Sequence, residues 1–292
     1  MRNAFLVATL SFLLAPAYAQ TAAKGVPSCD RACLRGMLTN FLDALIKHDP
    51  KSLPLAANVR FTEDTHELPL GEGLWKTAQS LGAFRQDIID VRQGIAGTHT
   101  IVQENGMPTL TQVRLKVAGG KINEIDTTVV RNRTEGMIFS PQTLKAASPA
   151  MNVTPEKSQL NSREEMSRLA LLYPAGLKVG SFVKVDAQFA TDAYRLENGQ
   201  LMAGPGCTFI AGCDKIKEQK LPTLAGIQAK VAAVDEEQGI VWLRMSFGPG
   251  SLMGQEGTLM VWEMFKVYGG KIQAVEAIME TAPLNTAFGW DY

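Results

Sequence analysis

His66 lies in the run Glu63-Asp64-Thr65-His66-Glu67. An imidazole titrates near neutral pH, and a neighbouring carboxylate can orient it. The chemistry this pattern offers is proton transfer, with His66 as base and Glu63 or Asp64 beside it. The plainer alternative is a solvated acidic turn capped by aspartate. Trp75 follows Gly71-Glu72-Gly73-Leu74. Its indole would stack on a substrate ring at a cavity mouth, or else close a helix–sheet core. His99 falls on the same strand face as Ile101 and is expected to point inward. Tyr194, Arg195, Glu197 and Asn198 form a second polar run. There Arg195 could clamp a carboxylate through two donors, although Glu-Asn-Gly is also strong turn chemistry. Glu263 sits mid-strand between Trp262 and Met264. A buried carboxyl there would titrate high and act as a general acid or base, or else pair with Lys266. Glu276 has the same two roles open to it. His48, beside Asp49-Pro50, is expected to complement a helix C-terminus.

Several chemistries are excluded. The chain has no Gly-x-Ser-x-Gly, no His-Glu-x-x-His and no dinucleotide fingerprint, which removes serine hydrolases, zinc proteases and Rossmann oxidoreductases. Gly204-Pro205-Gly206 and Gly248-Pro249-Gly250 do not match a phosphate loop and are expected to overhang cavity mouths. No cofactor is expected. The chain has 292 residues, 46% apolar and 20% charged, with 29 basic and 29 acidic side chains. That balance describes one large or two ordinary globular domains. It lacks the basic excess of a nucleic-acid binder.

The elements that must position these residues come in two copies. Residues 115–126 and 265–276 share Lys-Val-x-Gly-Gly-Lys-Ile, a pattern of alternating residues through a Gly-Gly turn. Each predicts a β-hairpin. A weaker match pairs Val59–Asp64 with Ala187–Asp192. The offsets of 150 and 128 put about twenty-two extra residues in the second copy, much of it in Gly204–Lys220. A helix opens each copy. Leu34, Leu38, Phe41, Leu42 and Leu45 recur at helical spacing after Asp30, a natural N-cap. In the second copy Ser162-Arg163-Glu164-Glu165 reads as a capping box, and Met166, Leu169, Ala170 and Tyr173 form a stripe ahead of Pro174. Strands are expected over 86–92, 99–104, 109–117 and 122–131, and again over 227–234, 240–247, 258–267 and 272–279. The fold class is α+β: two tandem units, each a helix layer against a curved antiparallel sheet around a cone-shaped cavity. The expected domains are 28–140 and 161–292, joined by a linker over 141–160.

Residues 1–19 read as a secretory signal peptide. Arg2 is followed by the apolar run Phe5–Leu14 and the small-x-small site Ala17-Tyr18-Ala19. No later stretch is long enough to span a bilayer, so a periplasmic or secreted protein with no membrane span is expected. Four cysteines in an exported chain suggest disulfides. The local pairs Cys29–Cys33 and Cys207–Cys213 are the simplest of three connectivities. A metal site is the competing use of these cysteines, but the spacings suit zinc poorly, and no metal is expected.

The chain resembles the SnoaL-like, or nuclear transport factor 2-like, superfamily. Phe41–Pro50, Val59–Glu63 and Leu68–Trp75 carry that likeness. It is also similar to secreted tandem members of undefined function. Cys29-Asp30-Arg31-Ala32-Cys33-Leu34, Arg195-Leu196-Glu197-Asn198-Gly199, Val234–Gly239, Glu263–Val267 and Gly289-Trp290 carry this second likeness. Related chains carry an Asp-His-Pro-Gly run where this chain has Phe247-Gly248-Pro249-Gly250. The resemblance implies an apolar pocket holding one or two acid–base groups. The expected function is a cofactor-independent lyase or isomerase acting on a small ring- or carbonyl-containing molecule. The alternative is a non-catalytic periplasmic binding or scaffold protein. The expected partners are a small ligand and the other copy within an internal pseudo-dimer, with a homodimer left open.

Overall fold

The computed structural model describes residues 29–252 and 256–292. Residues 1–19, where a signal peptide is expected, lie outside the described residues. Helix α1 (Arg31–Ile46) starts where Asp30 accepts the Cys33 N–H, and it buries Leu34, Leu38, Phe41 and Leu42. That face packs on a six-stranded sheet built from β1 (Leu55–Glu63), β2 (His66–Glu67), β3 (Ala78–Asp90), β4 (Ile95–Glu104), β5 (Met107–Ala118) and β6 (Lys121–Val130). The second unit repeats the plan. Helix α2 (Arg163–Val179) packs on β7 (Phe189–Glu197), β8 (Gln200–Ala203), β9 (Gln228–Asp235), β10 (Ile240–Ser246), β11 (Thr258–Tyr268) and β12 (Lys271–Ala282). The strand orders β2-β1-β6-β5-β4-β3 and β8-β7-β12-β11-β10-β9 are the same. This is the expected tandem α+β arrangement. Between the units lie only short helical turns, among them Arg133–Gly136 and Pro149–Asn152.

Four details differ from expectation. Each sheet is mixed, because β1 runs parallel to β6 and β7 parallel to β12. The helix-to-sheet crossing brings the first strand alongside the last in the same direction. Helix α2 does not stop at Pro174 but continues to Val179, where Gly180 adopts a left-handed cap. Burial of Pro174 and Leu177 holds this last turn although the proline lacks an N–H. At its start Ser162 accepts the Glu165 N–H, but the Glu165 carboxylate turns away to Arg168, so the capping box is half made. The upstream repeat is also in a different register. Leu55 opposes Ile122 and Phe189 opposes Ile272, while Glu63 opposes Thr127 and Glu197 opposes Ala277. The equivalence is therefore 134 positions, not 128, which leaves sixteen extra residues against the 150 of the hairpins.

The two sheets meet on the faces turned away from their helices. Ile88, Ile95, Trp242, Trp262 and Met264 form an apolar cluster there. Gly97 is the copy position of Trp242, and a Cβ on Gly97 would lie 2.1 Å from the Trp242 ring. Both ends of the interface carry the same ion pair. Arg31 donates to both Asp235 oxygens at 2.7 and 2.8 Å, and Arg163 to both Asp90 oxygens at 3.1 and 2.5 Å. Each aspartate also accepts a backbone N–H from the other unit, Ile89 on Asp235 and Val234 on Asp90. The units thus pair as an internal pseudo-dimer with matching contacts.

Both disulfides are local, Cys29–Cys33 and Cys207–Cys213. They are suited to an oxidising compartment. Among the described residues, no helix is long and apolar enough to cross a membrane.

Candidate functional site

The equivalence of the two units shows where a cavity can exist. Phe41 on α1 and Phe61 on β1 occupy the interior of the first unit, and Trp75 packs edge-on to Phe41 at 5.3 Å. Trp75 is only 2% exposed. It lines none of the described cavities, so the structure gives it the core role rather than substrate contact. The corresponding positions in the second unit are Tyr173 and Arg195. Both of these side chains, a phenol and a guanidinium in place of two phenylalanines, line a cavity in the second unit.

That cavity has a volume of about 550 Å³, within the range of small-molecule sites. Tyr173 and Leu177 of α2 form one wall, and Met202, Leu259 and Met279 of the sheet form another. Met137, Ile138 and Phe139 close one side from the inter-unit connection. The mouth is formed by Phe209 and Ile210, on the loop stapled by Cys207–Cys213, and by Phe247 and Gly250. Of the two Gly-rich runs, only Gly250 lines this cavity. Phe247 adds an apolar side chain to the cavity wall.

The polar groups converge on Arg195, which is 5% exposed. Its Nη1 donates to the Tyr173 hydroxyl at 3.2 Å, and its Nε lies 3.0 Å from Glu197 Oε1. Burial disfavours the guanidinium charge, but Tyr173 and Glu197 more than offset this, so Arg195 remains a cation. Glu263 lies one layer deeper. Burial pushes its carboxyl well above the usual range, the Glu197 charge pushes it further, and Arg195 opposes both. Glu263 therefore holds its proton more tightly than an exposed carboxyl does. It does not pair with Lys266, whose ammonium is taken by the Met151, Val153 and Gln238 carbonyls. Asn198 is buried but serves the chain. Its amide donates to the Gly136, Ile138 and Met279 carbonyls and accepts the Met279 N–H. The turn function wins there, because Asn198 takes the left-handed conformation between β7 and β8. Tyr194 points to the opposite sheet face, where it donates to Glu276 at 2.6 Å.

The first-unit candidates divide differently. His66 is exposed on β2, and its Nδ1 lies 2.8 Å from its own loop's Asp64 carbonyl. It borders a pocket of about 130 Å³ with Asp64, Glu135 and Glu280 at the junction of the units. No carboxylate is hydrogen-bonded to its ring among the described residues. Asp64 is the equivalent of Asn198 and does the same work, accepting the Val129 N–H at 2.8 Å. Burial and the charge of Glu280 push its carboxyl well above the usual range. His48 leaves the helix end in a left-handed turn, and its Nδ1 meets the Trp75 carbonyl. His99 is buried between the units. Burial lowers its pKa to about 3, so it is neutral, and its Nε2 accepts the Trp242 indole N–H at 3.2 Å. That fixes the proton on Nδ1. His99 cements the interface and does not reach the cavity.

Glu63, the copy of Glu197, accepts the Leu74 N–H at 2.8 Å and meets Arg131 at 3.4 Å. Gly73 must be glycine here, with φ +63° and a Cβ position 2.4 Å from the Glu63 carboxylate. Burial raises the Glu63 pKa to about 7 despite Arg131. The folded state therefore holds this proton more tightly than the unfolded chain. Its stabilisation is complete below pH 4.5 and is lost as pH rises to about 7, a change of about 2–3 kcal/mol. Urea unfolding at pH 5 and pH 8 should show Glu63→Gln losing that share of the wild-type pH dependence. An unchanged slope would place the proton elsewhere.

Sequence reasoning missed the inter-unit aspartates. The signal was present: Asp90-Val91-Arg92-Gln93-Gly94 and Asp235-Glu236-Glu237-Gln238-Gly239 both read Asp-x-x-Gln-Gly. In each, the aspartate accepts the glutamine N–H three residues on.

Residues 159–279 match a family model described as Domain of unknown function (DUF8021). No curated protein matches the chain. Among solved structures, a de novo designed protein with a curved β-sheet is similar at 20% identity. It covers 34% of this chain and 87% of its own, with TM-score 0.30. An NTF2-like protein of unknown function from Shewanella baltica is 16% identical over 41% of this chain and 93% of its own, with TM-score 0.28. Another, from Cytophaga hutchinsonii, is 13% identical over 33% of this chain and 88% of its own, with TM-score 0.25.

Proposed function

We propose that the protein is an exported binding protein for a small, mostly apolar molecule ending in a carbonyl or carboxylate oxygen. The site is the cavity of the second unit. The observation that carries this is an apolar-walled cavity of about 550 Å³ whose buried polar end is a charged arginine, Arg195, against Tyr173. The ligand's carbon body replaces water along Met202, Leu259 and Met279, where each buried CH₂ contributes about 0.8 kcal/mol. Its oxygen accepts from Arg195, which fixes orientation. Export is supported by the leader pattern of residues 1–19 and by both disulfides.

One observation favours acid–base catalysis as a second function. Burial and the Glu197 charge hold the Glu263 carboxyl well above the usual range near Arg195 and Tyr173, which makes it a candidate proton donor near the ligand's oxygen end. An isomerase or lyase would use such a donor. His66 supports this less, because its ring bonds its own loop outside the cavity.

Calorimetric titration with alkyl and aryl acids and ketones of roughly eight to twelve carbons tests the proposal. The expected result is saturable one-to-one binding with a negative heat-capacity change. If no member of the panel saturates, the proposal fails. Proton NMR of the same mixtures in D₂O separates the two functions. Substrate signals that stay constant mean binding alone, and exchange beside the carbonyl means catalysis.

A further inference from the structure

After β12 the chain crosses back to the first unit as an irregular strap, residues 283–292. Side chains do most of the holding. Trp290 Nε1 donates to Thr62 Oγ1 at 2.8 Å, and the Tyr292 hydroxyl donates to Asp126 Oδ2 at 2.7 Å. Arg60 lies over the Trp290 ring at 4.2 Å and donates to the Gly289 carbonyl. A segment with so few backbone hydrogen bonds belongs to the least stable parts of a fold.

The slot beneath the strap is built more elaborately than the strap requires. The Tyr292 ring sits edge-on to Trp262 at 5.5 Å, with the Arg114 guanidinium 5.1 Å from its centroid. Arg114 is 2% exposed, and only its Nη2 is paired, with Glu124 at 2.9 Å. Its Nε and Nη1, and the Trp262 indole N–H, have no hydrogen-bond partner among the described residues. Buried donors of this kind normally have partners, and leaving them bare costs about 1–3 kcal/mol each. Tyr292 uses the aromatic walls and Asp126, and leaves the arginine unanswered.

We propose that this inter-unit slot is a second ligand site, filled in cis by Tyr292, and that it takes a hydroxyaryl acid when the strap lifts. The ligand's ring replaces that of Tyr292 against Trp262. Its phenol donates to Asp126, and its carboxylate accepts from Arg114 Nε and Nη1. Burial pushes the Asp126 carboxyl up, although Arg244, Tyr292 and Arg114 pull it down. The strap lowers the apparent affinity by the fraction of time it is open. This site is separate from the cone of the second unit, so either can fail alone.

The test uses 4-hydroxyphenylacetate as probe, with Trp fluorescence and calorimetry as readouts on the full chain. Tyr292→Ala should bind it at least about tenfold more tightly than wild type. p-Cresol, which lacks the acidic arm, should bind that variant about tenfold more weakly than the acid does. Adding Arg114→Gln to Tyr292→Ala should abolish the gain. The proposal is overturned if folded Tyr292→Ala binds no better than wild type, or if the Arg114→Gln background binds equally well. Should Tyr292→Ala lose cooperative unfolding, Trp290→Ala carries the same comparison. It weakens the strap while leaving the slot's walls intact, and no gain over wild type would again overturn the proposal.

Discussion

Replacing Asp235 with alanine is expected to remove about 3–5 kcal/mol of folding stability. The Asp235 side chain is wholly buried and accepts four bonds, two from Arg31 and one each from the Ile89 and Gln238 N–H groups. Alanine would strand the Arg31 guanidinium, with only Glu237 left at 3.5 Å. It would also leave the Ile89 N–H buried without an acceptor. Breaking one side of a buried pair costs more than the pair itself contributes, because the remaining charge loses its water as well as its partner. In a chain of this size the melting temperature should fall by roughly 6–15 °C. The copy makes the prediction sharper. Asp90→Ala removes the matching pair with Arg163 and the bond from Val234, so the two variants should lose similar amounts. A loss under about 1 kcal/mol in either would place the pair among ordinary surface salt bridges.

Arg195→Met should weaken binding of an acidic or carbonyl ligand by about ten- to hundredfold. A hydrogen bond to a charged group contributes about 1.5–3 kcal/mol, and each 1.4 kcal/mol is tenfold in affinity. The fold should survive the change. Phe61 occupies the equivalent position in the first unit and is fully accommodated there, so the architecture accepts an apolar side chain at this point of the strand. Glu197 loses its partner in this variant but still borders the cavity. Binding of an alkane-like ligand without an oxygen should be nearly unchanged. Equal loss for both ligand types would mean that Arg195 shapes the cavity instead of recognising a head group. Calorimetry on the purified variant gives both numbers.

Much of the architecture was legible because a few residue types have little choice. Gly119-Gly120 and Gly269-Gly270 all take positive φ, a conformation that costs glycine nothing, and so the duplicated hairpins stood out. Helix stripes and the Asp30 cap read correctly for the same local reasons. The upstream register did not, because Val59–Asp64 and Ala187–Asp192 match by composition while the pairing with β6 and β12 sets the true equivalence. The pocket was half legible. Arg195 and Glu197 were visible as a polar run, but their apolar surroundings come from α2, β11, β12 and the stapled loop, which are distant in sequence. The contrast between Phe41 and Phe61 in one unit and Tyr173 and Arg195 in the other is seen only in the corrected register. His66 stood out by residue type, but type shows neither its exposure nor its contact with the Asp64 carbonyl. His99 is held by Trp242, which lies 143 positions away, and strand alternation gives its facing but not its partner.

The methyl groups of Met137, Met202 and Met279 line the second unit's cavity, whereas Met107 is exposed on the first unit and Met151 lies between the units. A carbon–proton methyl spectrum of methionine-labelled protein, recorded while an aryl or alkyl acid is added, reports directly on where that molecule goes. Saturable shifts of the first three resonances, with Met107 and Met151 still, are the predicted result. Shifts at Met107 or Met151 with the cavity methyls unmoved would contradict a ligand-binding cone in the second unit.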